Sequence, residues 1–303
     1  MWSGPHERHE QGGSLTILEN HGLLRISVKV FRSPTSVTSR QLRQLFGRDT
    51  PLVVRTGADS EERNLPRMVG VTAEAAATWI NVLPSTLSAL VQLYEQVQFS
   101  VELAAYENLH VAEVVPGIWE LDNRLAPLVL QIRGDRVDLT ATDGGPQCAR
   151  FHDPHHGLHE RPARVDDWQI ATVTEWIRHH HRALAAVRSD LGHPFGLKLH
   201  YSARFGLSPQ NLRGTVPDSG TWHGGDHPST VETNIVSSTT EPIPTGPTLL
   251  DVSIAREDHA TLTTFIHRLR EAGTREVFLR SGVLSHLAIN LREAGITVRS
   301  AHG

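Results

Sequence analysis

The sequence has 303 residues, with 29 basic and 33 acidic side chains and a formal net charge of -4. Its length allows a large core, and the absence of a long basic run argues against a nucleic-acid partner. A single cysteine, Cys148, excludes an internal disulfide framework and favours a cytoplasmic protein, and no apolar run reaches the length of a membrane span. Histidine, with 19 residues, is the compositional outlier.

The first predicted elements are short. Residues 1–14 are expected to be flexible, and the alternation from Leu24 to Val30 predicts a half-buried strand. Leu52-Val53-Val54 predicts a second strand. Thr72 is a candidate N-cap for a short helix that runs through Trp79.

The longest helix is predicted from Ser85 to about Asn108. Its apolar residues recur at spacings of three and four, which is typical of a helix: they are Leu87, Leu90, Val91, Tyr94, Val97, Val101, Ala104 and Ala105. Phe99, Leu103 and Tyr106 form a second apolar stripe. A helix with two apolar stripes is expected in the interior.

The middle of the chain is predicted to contain a hairpin and a second long helix. The hairpin lies within Glu113–Thr140, with Gly134 at its turn, and a histidine-rich loop follows over Thr142–Pro162. The helix starts at Asp166 or Asp167 and ends near Gly192. His180 falls on its apolar seam.

From Leu249 onward the pattern is strand, helix, strand, helix, strand. The predicted fold class is therefore α+β, with a mainly helical central region, a small β-hairpin and a C-terminal βαβαβ unit. The expected domains are residues 15–245 and a small α/β unit over residues 246–303.

Catalytic motifs of common enzyme families are absent. The sequence has no GxSxG, P-loop, HExxH or CxxC motif, and no GxGxxG follows a predicted strand. The stretch Gly196–Gly225 instead places His200 before Arg213-Gly214-Thr215 and a loop rich in Gly, Ser, Thr and His. A histidine on a packed element beside such a loop is compatible with a cofactor on one side and a polar substrate on the other.

Two of these segments resemble the heme-dependent tryptophan 2,3-dioxygenases. Gln98-Phe99-Ser100-Val101-Glu102-Leu103 is similar to the family's Gln-Phe-Arg-x-Leu segment, and His200 with the Arg213-Gly214-Thr215 loop is similar to its proximal histidine and substrate loop. The segments also depart from this family, for example with Ser100 in place of its arginine. The chain therefore resembles the histidine-ligated heme tyrosine hydroxylases of antibiotic pathways more than a true dioxygenase. The resemblance covers at most residues 85–230.

The resemblance implies an oxidoreductase that binds heme b and hydroxylates an aromatic amino acid, with L-tyrosine as the expected substrate. His200 would be the proximal iron ligand, with His193 as the alternative, and His180 or His110 would act on the distal side. The implied substrate-binding residues are Arg204, Arg213, Ser100, Thr221 and Trp222. The expected partners are this aromatic small molecule and a second copy of the chain.

Two other classes remain open. A non-heme metalloenzyme would use His223, Asp226 and His227, and the cluster His152, His155, His156 and His159 also has enough imidazoles for a divalent ion. A non-enzymatic protein would use the C-terminal unit for docking. In that unit, the turn from Leu279 to Gly282 opens a helix after a strand and could bind an anion.

Overall fold

Antiparallel sheets, rather than helices, make up the central part of the chain. The structure is a computed structural model that describes residues 11–24, 26–32, 36–58, 67–118, 125–140, 146–153, 157–213, 216–217, 234–257, 259–280 and 282–301. None of the described helices is both long and apolar enough to cross a membrane.

A small four-stranded sheet, sheet A, follows the N-terminal helix α1 (Gln11–Asn20). Its strands pair in the order β1-β4-β2-β3, and all pairs are antiparallel. Two helices pack on it through a core that includes Leu42, Ala76 and Val91. The elements are β1 (Val28–Arg32), α2 (Ser39–Phe46), β2 (Leu52–Ala58), β3 (Arg67–Val71), α3 (Ala73–Ile80) and β4 (Leu87–Leu93).

A six-stranded antiparallel sheet, sheet B, forms the centre of the molecule, in the order β12-β11-β5-β6-β7-β8. A hairpin, β9 with β10, and the long helix α4 are inserted between β8 and β11. The elements are β5 (Phe99–Ala105), β6 (His110–Pro116), β7 (Leu128–Arg133), β8 (Arg136–Thr140), β9 (Gln147–Asp153), β10 (Gly157–Ala163), α4 (Asp167–Leu191), β11 (Phe195–Ser202) and β12 (Gly206–Arg213).

A parallel four-stranded sheet, in the order β13-β14-β15-β16, forms the C-terminal unit. Its strands alternate with helices from β14 onward, as the sequence pattern predicted. The elements are β13 (Asn234–Val236), β14 (Thr248–Leu250), a 3₁₀ helix (Val252–Arg256), α5 (His259–Glu271), β15 (Glu276–Leu279), α6 (His286–Glu293) and β16 (Thr297–Ser300).

Sheet B is buried on both faces. Phe99, Val101 and Leu103 of β5 pack in one core with residues of α1 and α4. Ala104 and Val111 contribute to a second core with the C-terminal unit. Both faces of sheet B are therefore covered, the first by α1 and α4 and the second by the C-terminal unit.

The predicted fold class is therefore wrong for the central region. The predicted helix over Ser85–Asn108 is instead β4, β5 and the turn that joins them. All seven residues of β5 are buried, and apolar residues at the spacings found over residues 85–108 fit both a helix and strands that are buried on both faces. The predicted loop over Thr142–Pro162 contains the hairpin β9–β10.

Local signals were more reliable at the ends of elements. Thr72 caps α3 by accepting from the backbone N–H of Ala75, as predicted. Gly192 ends α4 in the left-handed conformation, with φ at 72°. The hairpin predicted around Gly134 is formed by β7 and β8.

Candidate functional site

The face of sheet B turned away from α4 carries a band of polar and charged side chains. We call this band the polar face; its residues are Ser100, Glu102, Glu113, Lys198, His200, Ser208 and Arg213. Because side chains alternate across a strand, each lies one position from an apolar residue of the opposite core. Charged residues in the middle of a covered sheet are costly to bury, so they point to a specific role.

Lys198 and Arg213 share one carboxylate, that of Glu102. Register places Glu102 directly opposite Lys198 on β11 and opposite Glu113 on β6. Lys198 Nζ lies 3.3 Å from Glu102 Oε1, and Arg213 Nη1 lies 3.2 Å from Oε2. The Glu102 and Lys198 side chains are 7% and 10% exposed, so solvent screens their ion pair little.

Glu113 is fully buried beneath the loop that enters α6. Its Oε1 accepts the backbone N–H of Val283 at 2.7 Å, and Oε2 accepts that of Leu284 at 3.2 Å. Burial raises the pKa of Glu113 to about 8, although these two N–H groups oppose the shift. The turn from Leu279 to Gly282, which could bind an anion in the docking alternative, is followed by these two N–H groups, and the Glu113 carboxyl group accepts both of them.

The loop itself is built to approach Glu113 closely. Gly282 has φ at 92°, and a Cβ there would lie 2.6 Å from Glu113 Oε2. Ser285 caps α6, Arg292 donates to Val283 O at 2.7 Å, and Arg213 donates to Leu284 O at 3.3 Å. The polar face and the C-terminal unit are thus joined by hydrogen bonds as well as by apolar packing.

At its other end, the polar face meets sheet A. Arg55 of β2 donates to Gln210 O at 2.9 Å and to Gln92 Oε1 at 2.9 Å. Gln92 in turn donates from Nε2 to Gln210 Oε1 at 3.0 Å. Gln210 is the extra residue at the register shift between β11 and β12, and its side-chain amide contacts sheet A.

Glu95 lies in the short connection from β4 to β5, between the two sheets. It is only 9% exposed, and burial raises its pKa to about 7; the Ser202 hydroxyl and the charge of Arg204 offset part of this rise. Ser208 Oγ is also buried and has no hydrogen-bond partner among the residues that the structure describes. Buried polar groups of this kind are often completed by a ligand or by water.

Hydrogen bonds fix the hairpin β9–β10 against the connection from β4 to β5 and against the end of β6. The Tyr94 hydroxyl donates to His152 O at 2.6 Å, and the backbone N–H of Ile118 donates to Arg150 O at 2.9 Å. Burial lowers the pKa of the His152 imidazole. Ser100 donates to Gly117 O at 2.7 Å, which holds the end of β6 beside the polar face.

Of the four histidines predicted to flank a heme, His200 does not share a side of sheet B with His110 or with the helix that carries His180. His200 lies on β11 in the polar face, opposite Ser100 and Ser208. His110 pairs with Ala105 and Ile132, which belong to the core on the α4 side. Burial lowers the pKa of His110 to about 4, with smaller electrostatic contributions from Arg188 and His181 on α4.

His180 belongs to α4, where Nδ1 lies 2.8 Å from Trp176 O and the ring stacks on Trp176. His193 follows α4, and its Nδ1 lies 2.7 Å from Pro194 O. Sheet B therefore separates His200 from His110 and from the helix that carries His180. A single porphyrin cannot have His200 as its proximal residue and either of the other two as its distal residue.

The predicted substrate residues are dispersed. Arg213 and Ser100 lie on the polar face, whereas Arg204 is exposed and stacks on Phe205. Thr221 and Trp222 lie outside the described residues, as do His223, Asp226 and His227 of the metalloenzyme alternative.

The described residues contain no group of three His, Cys, Asp or Glu side chains that could hold a metal ion. His155 and His156 lie outside the described part of the chain; His152 is next to the Tyr94 hydroxyl, and His159 stacks on Phe151. On the polar face, Glu102 and Glu113 are already engaged by cations and by backbone N–H groups. This donor set does not fit a divalent ion, which requires several free oxygen ligands.

The site residues predicted from the sequence did not include Glu102, Glu113, Lys198 or the cross-sheet group of Arg55, Gln92 and Gln210. A signal for three of them was present. Glu102 and Glu113 are single acids inside apolar runs, and Lys198 alternates with Leu197 and Leu199 at the strand period. A charge at such a position predicts a buried partner on another strand.

No protein-family model and no curated protein matches the sequence. Several solved structures do. One is an N5-carboxyaminoimidazole ribonucleotide synthetase in its ADP complex, which is 13% identical with a TM-score of 0.39. The match covers 70% of this chain and 46% of the synthetase. The D-alanine–D-alanine ligase from Coxiella burnetii has 12% identity, coverage of 69% and 48%, and a TM-score of 0.39.

The ATP-grasp ligase PsnB, complexed with minimal precursor, Mg and ADP, has 13% identity, coverage of 69% and 51%, and a TM-score of 0.33. The chain thus spans about half the length of these three structures. All three are ligases or synthetases, and none is a heme oxygenase. With His200 on the face of sheet B opposite to that of His110, the predictions of a heme oxidoreductase, of heme b and of tyrosine hydroxylation are wrong.

Proposed function

We propose that this chain is an ATP-dependent ligase that binds its nucleotide between sheet A and the polar face of sheet B. The observation that carries the proposal is the buried cross-sheet group of Arg55, Gln92 and Gln210, which continues into the polar face. It brings hydrogen-bonding groups of two sheets to one junction, and such junctions are common ligand sites.

The positions of the polar and charged groups along the sheet suit a nucleotide. Amide and guanidinium groups at the junction can bind the donors and acceptors of a base, and Glu95 and Ser208 offer oxygens to hydroxyl groups. Lys198 and Arg213 supply positive charge farther along the sheet for phosphate oxygens. The ligand would thus extend across β12 and β11.

In a ligase reaction these residues would orient the nucleotide and offset the charge that develops during phosphoryl transfer. The chemistry of such a step depends mainly on positioning and on electrostatic stabilisation. Lys198 is well suited to this role because its partner Glu102 fixes its position. No catalytic base is assigned.

The first test is calorimetric titration of the purified chain with ATP and with ADP, since two of the matched structures hold ADP. We expect ATP to bind, and the Gln92→Glu variant to weaken binding by about tenfold, because it loses the N–H that donates to Gln210. Gln92→Glu keeps the side-chain size and an acceptor for Arg55. Arg40→Met, on the exposed surface of α2, is the matched control and should bind as the wild type does.

Turnover is tested next by following ADP release from ATP with mixtures of amino acids and small carboxylates. ADP release that requires both an amine and a carboxylate would support a ligase. The proposal fails if neither nucleotide binds, or if Gln92→Glu and Arg40→Met bind ATP equally well.

A further inference from the structure

Both carboxylates of the polar face reach the loop that enters α6. Glu113 accepts the backbone N–H of Leu284 directly, at 3.2 Å. Glu102 reaches the same residue through Arg213, whose Nη1 lies 3.2 Å from Glu102 Oε2 and donates to Leu284 O at 3.3 Å. One guanidinium nitrogen therefore connects the centre of sheet B to the C-terminal unit.

Leu284 immediately precedes the N-cap residue of α6. The Ser285 hydroxyl accepts the backbone N–H of Ala288 at 3.3 Å and donates to Gly282 O at 2.7 Å, which closes the first turn of the helix. The Leu284 side chain is 6% exposed and belongs to the core of the C-terminal unit. A displacement of Leu284 would therefore be transmitted directly to the start of α6.

The contact between Arg213 and Leu284 O is the weakest point of this connection. Its length of 3.3 Å is long for an N–H···O hydrogen bond, and the same nitrogen also contacts Glu102. The Arg213 side chain is 21% exposed, against 7% for that of Glu102, so it is the more accessible of the two. A phosphate oxygen is a stronger acceptor for a guanidinium group than a backbone carbonyl is, and an anionic ligand would compete with Leu284 O.

We propose that nucleotide binding on the polar face loosens the start of α6, because a phosphate group of the ligand draws Arg213 away from Leu284 O. This inference rests on the proposed function for where the nucleotide lies. The coupling is reciprocal, since a chain whose α6 is already loosened has less to lose on binding and should bind the nucleotide more tightly. Through this contact the C-terminal unit senses whether the nucleotide site is filled.

Amide hydrogen exchange of the full chain, measured by mass spectrometry with and without ATP, tests the coupling. We expect saturating ATP to speed exchange in α6 by about fivefold, which is the effect of one lost hydrogen bond, and to leave exchange in α5 unchanged. In Arg213→Met the contact with Leu284 O is absent from the start. Exchange in α6 should then be fast without ATP, and saturating ATP should not speed it further.

The variant Ser285→Ala separates this coupling from a general loss of structure. It removes the cap of α6 without changing any charge near the ligand, so exchange in α6 should rise in the absence of ATP. By reciprocity, calorimetric titration should show that Ser285→Ala binds ATP about two- to fivefold more tightly than the wild type does. Damage to the fold would weaken binding instead.

The outcomes distinguish the two proposals. ATP binding that leaves exchange in α6 unchanged, or slows it, overturns the inference and leaves the proposed function standing. The same holds for equal acceleration in α5, for an ATP effect that persists in Arg213→Met, and for Ser285→Ala binding ATP no more tightly than the wild type. If ATP does not bind, the proposed function fails, and the inference fails with it.

Discussion

Replacement of Glu113 by glutamine should change how the stability of the protein depends on pH. Glutamine has the size of a protonated glutamic acid and keeps an oxygen that can accept the N–H groups of Val283 and Leu284. It cannot ionise. Any difference between the two proteins that varies with pH therefore reports the ionisation of Glu113.

The sign and size follow from the raised pKa of Glu113, which is about 8 in the folded chain against an ordinary value of 4.5. Between these two values the unfolded chain has released the proton while the folded chain retains it. The free energy of unfolding of the wild type therefore falls as pH rises, by up to about 1.4 kcal/mol per pH unit. Below the ordinary value the contribution is fully present, and it is lost as pH rises through about 8.

Urea unfolding of the wild type and of Glu113→Gln, followed by circular dichroism at several pH values from about 5 to about 8.5, measures this difference. We expect Glu113→Gln to gain stability relative to the wild type by about 1 kcal/mol per pH unit across the window. Other titrating groups, such as Glu95, are present in both proteins and cancel in the comparison. A constant difference, or one that favours the wild type as pH rises, would refute a buried carboxyl of raised pKa.

Three further predictions concern the junctions around the polar face. Gly282→Ala should lower the free energy of unfolding in urea by about 2–4 kcal/mol, because the added Cβ would collide with Glu113 and Pro127. The control Gly134→Ala is also at positive φ but has no atom within 4 Å of the added Cβ, so it should cost only about 1 kcal/mol. Equal losses in the two variants would contradict the close approach of Gly282 to Glu113. Arg55→Met should lower the free energy of unfolding by about 1–3 kcal/mol because it breaks the hydrogen bonds to Gln210 and Gln92, whereas Arg40→Met should change it by less than about 0.5 kcal/mol. Tyr94→Phe should cost about 1 kcal/mol and speed amide hydrogen exchange in β9, since the hydroxyl group holds His152 O; unchanged exchange would show that this bond does not fix the hairpin.

The part of the fold that was predicted correctly depends on local chemistry. The helix α4 has an amphipathic period, an N-terminal aspartate and a left-handed glycine at its end, and each of these signals acts within a few residues. The turn at Gly134 and the cap at Thr72 are equally local.

The error over residues 85–108 has a different origin. Leu87, Leu90 and Val91 are spaced as on a helix, yet β4 is buried on both sides and its apolar residues follow no strict alternation. Pairing with β1 and β2 supplies the backbone hydrogen bonds of this segment, and those partners are distant in the sequence. Tertiary pairing therefore overrode a helical pattern.

The candidate site was beyond the reach of the sequence for the same reason. The abundance of histidine favoured His200, His110 and His180 as predicted site residues. Neither spacing nor composition indicates which face of a sheet a side chain occupies. The charge group formed by Glu102, Lys198 and Arg213 exists only because β5, β11 and β12 are neighbours.

The sequence by itself determined the ends of α3 and α4, the β7–β8 turn and the alternation of strands and helices in the C-terminal unit, because capping, turn conformation and amphipathic period are short-range properties. Only the tertiary structure decided that the central region is a sheet buried on both faces, and that Glu113 fills the turn before α6. The physical reason is that strand order and face depend on hydrogen-bond partners and apolar contacts far apart in the chain.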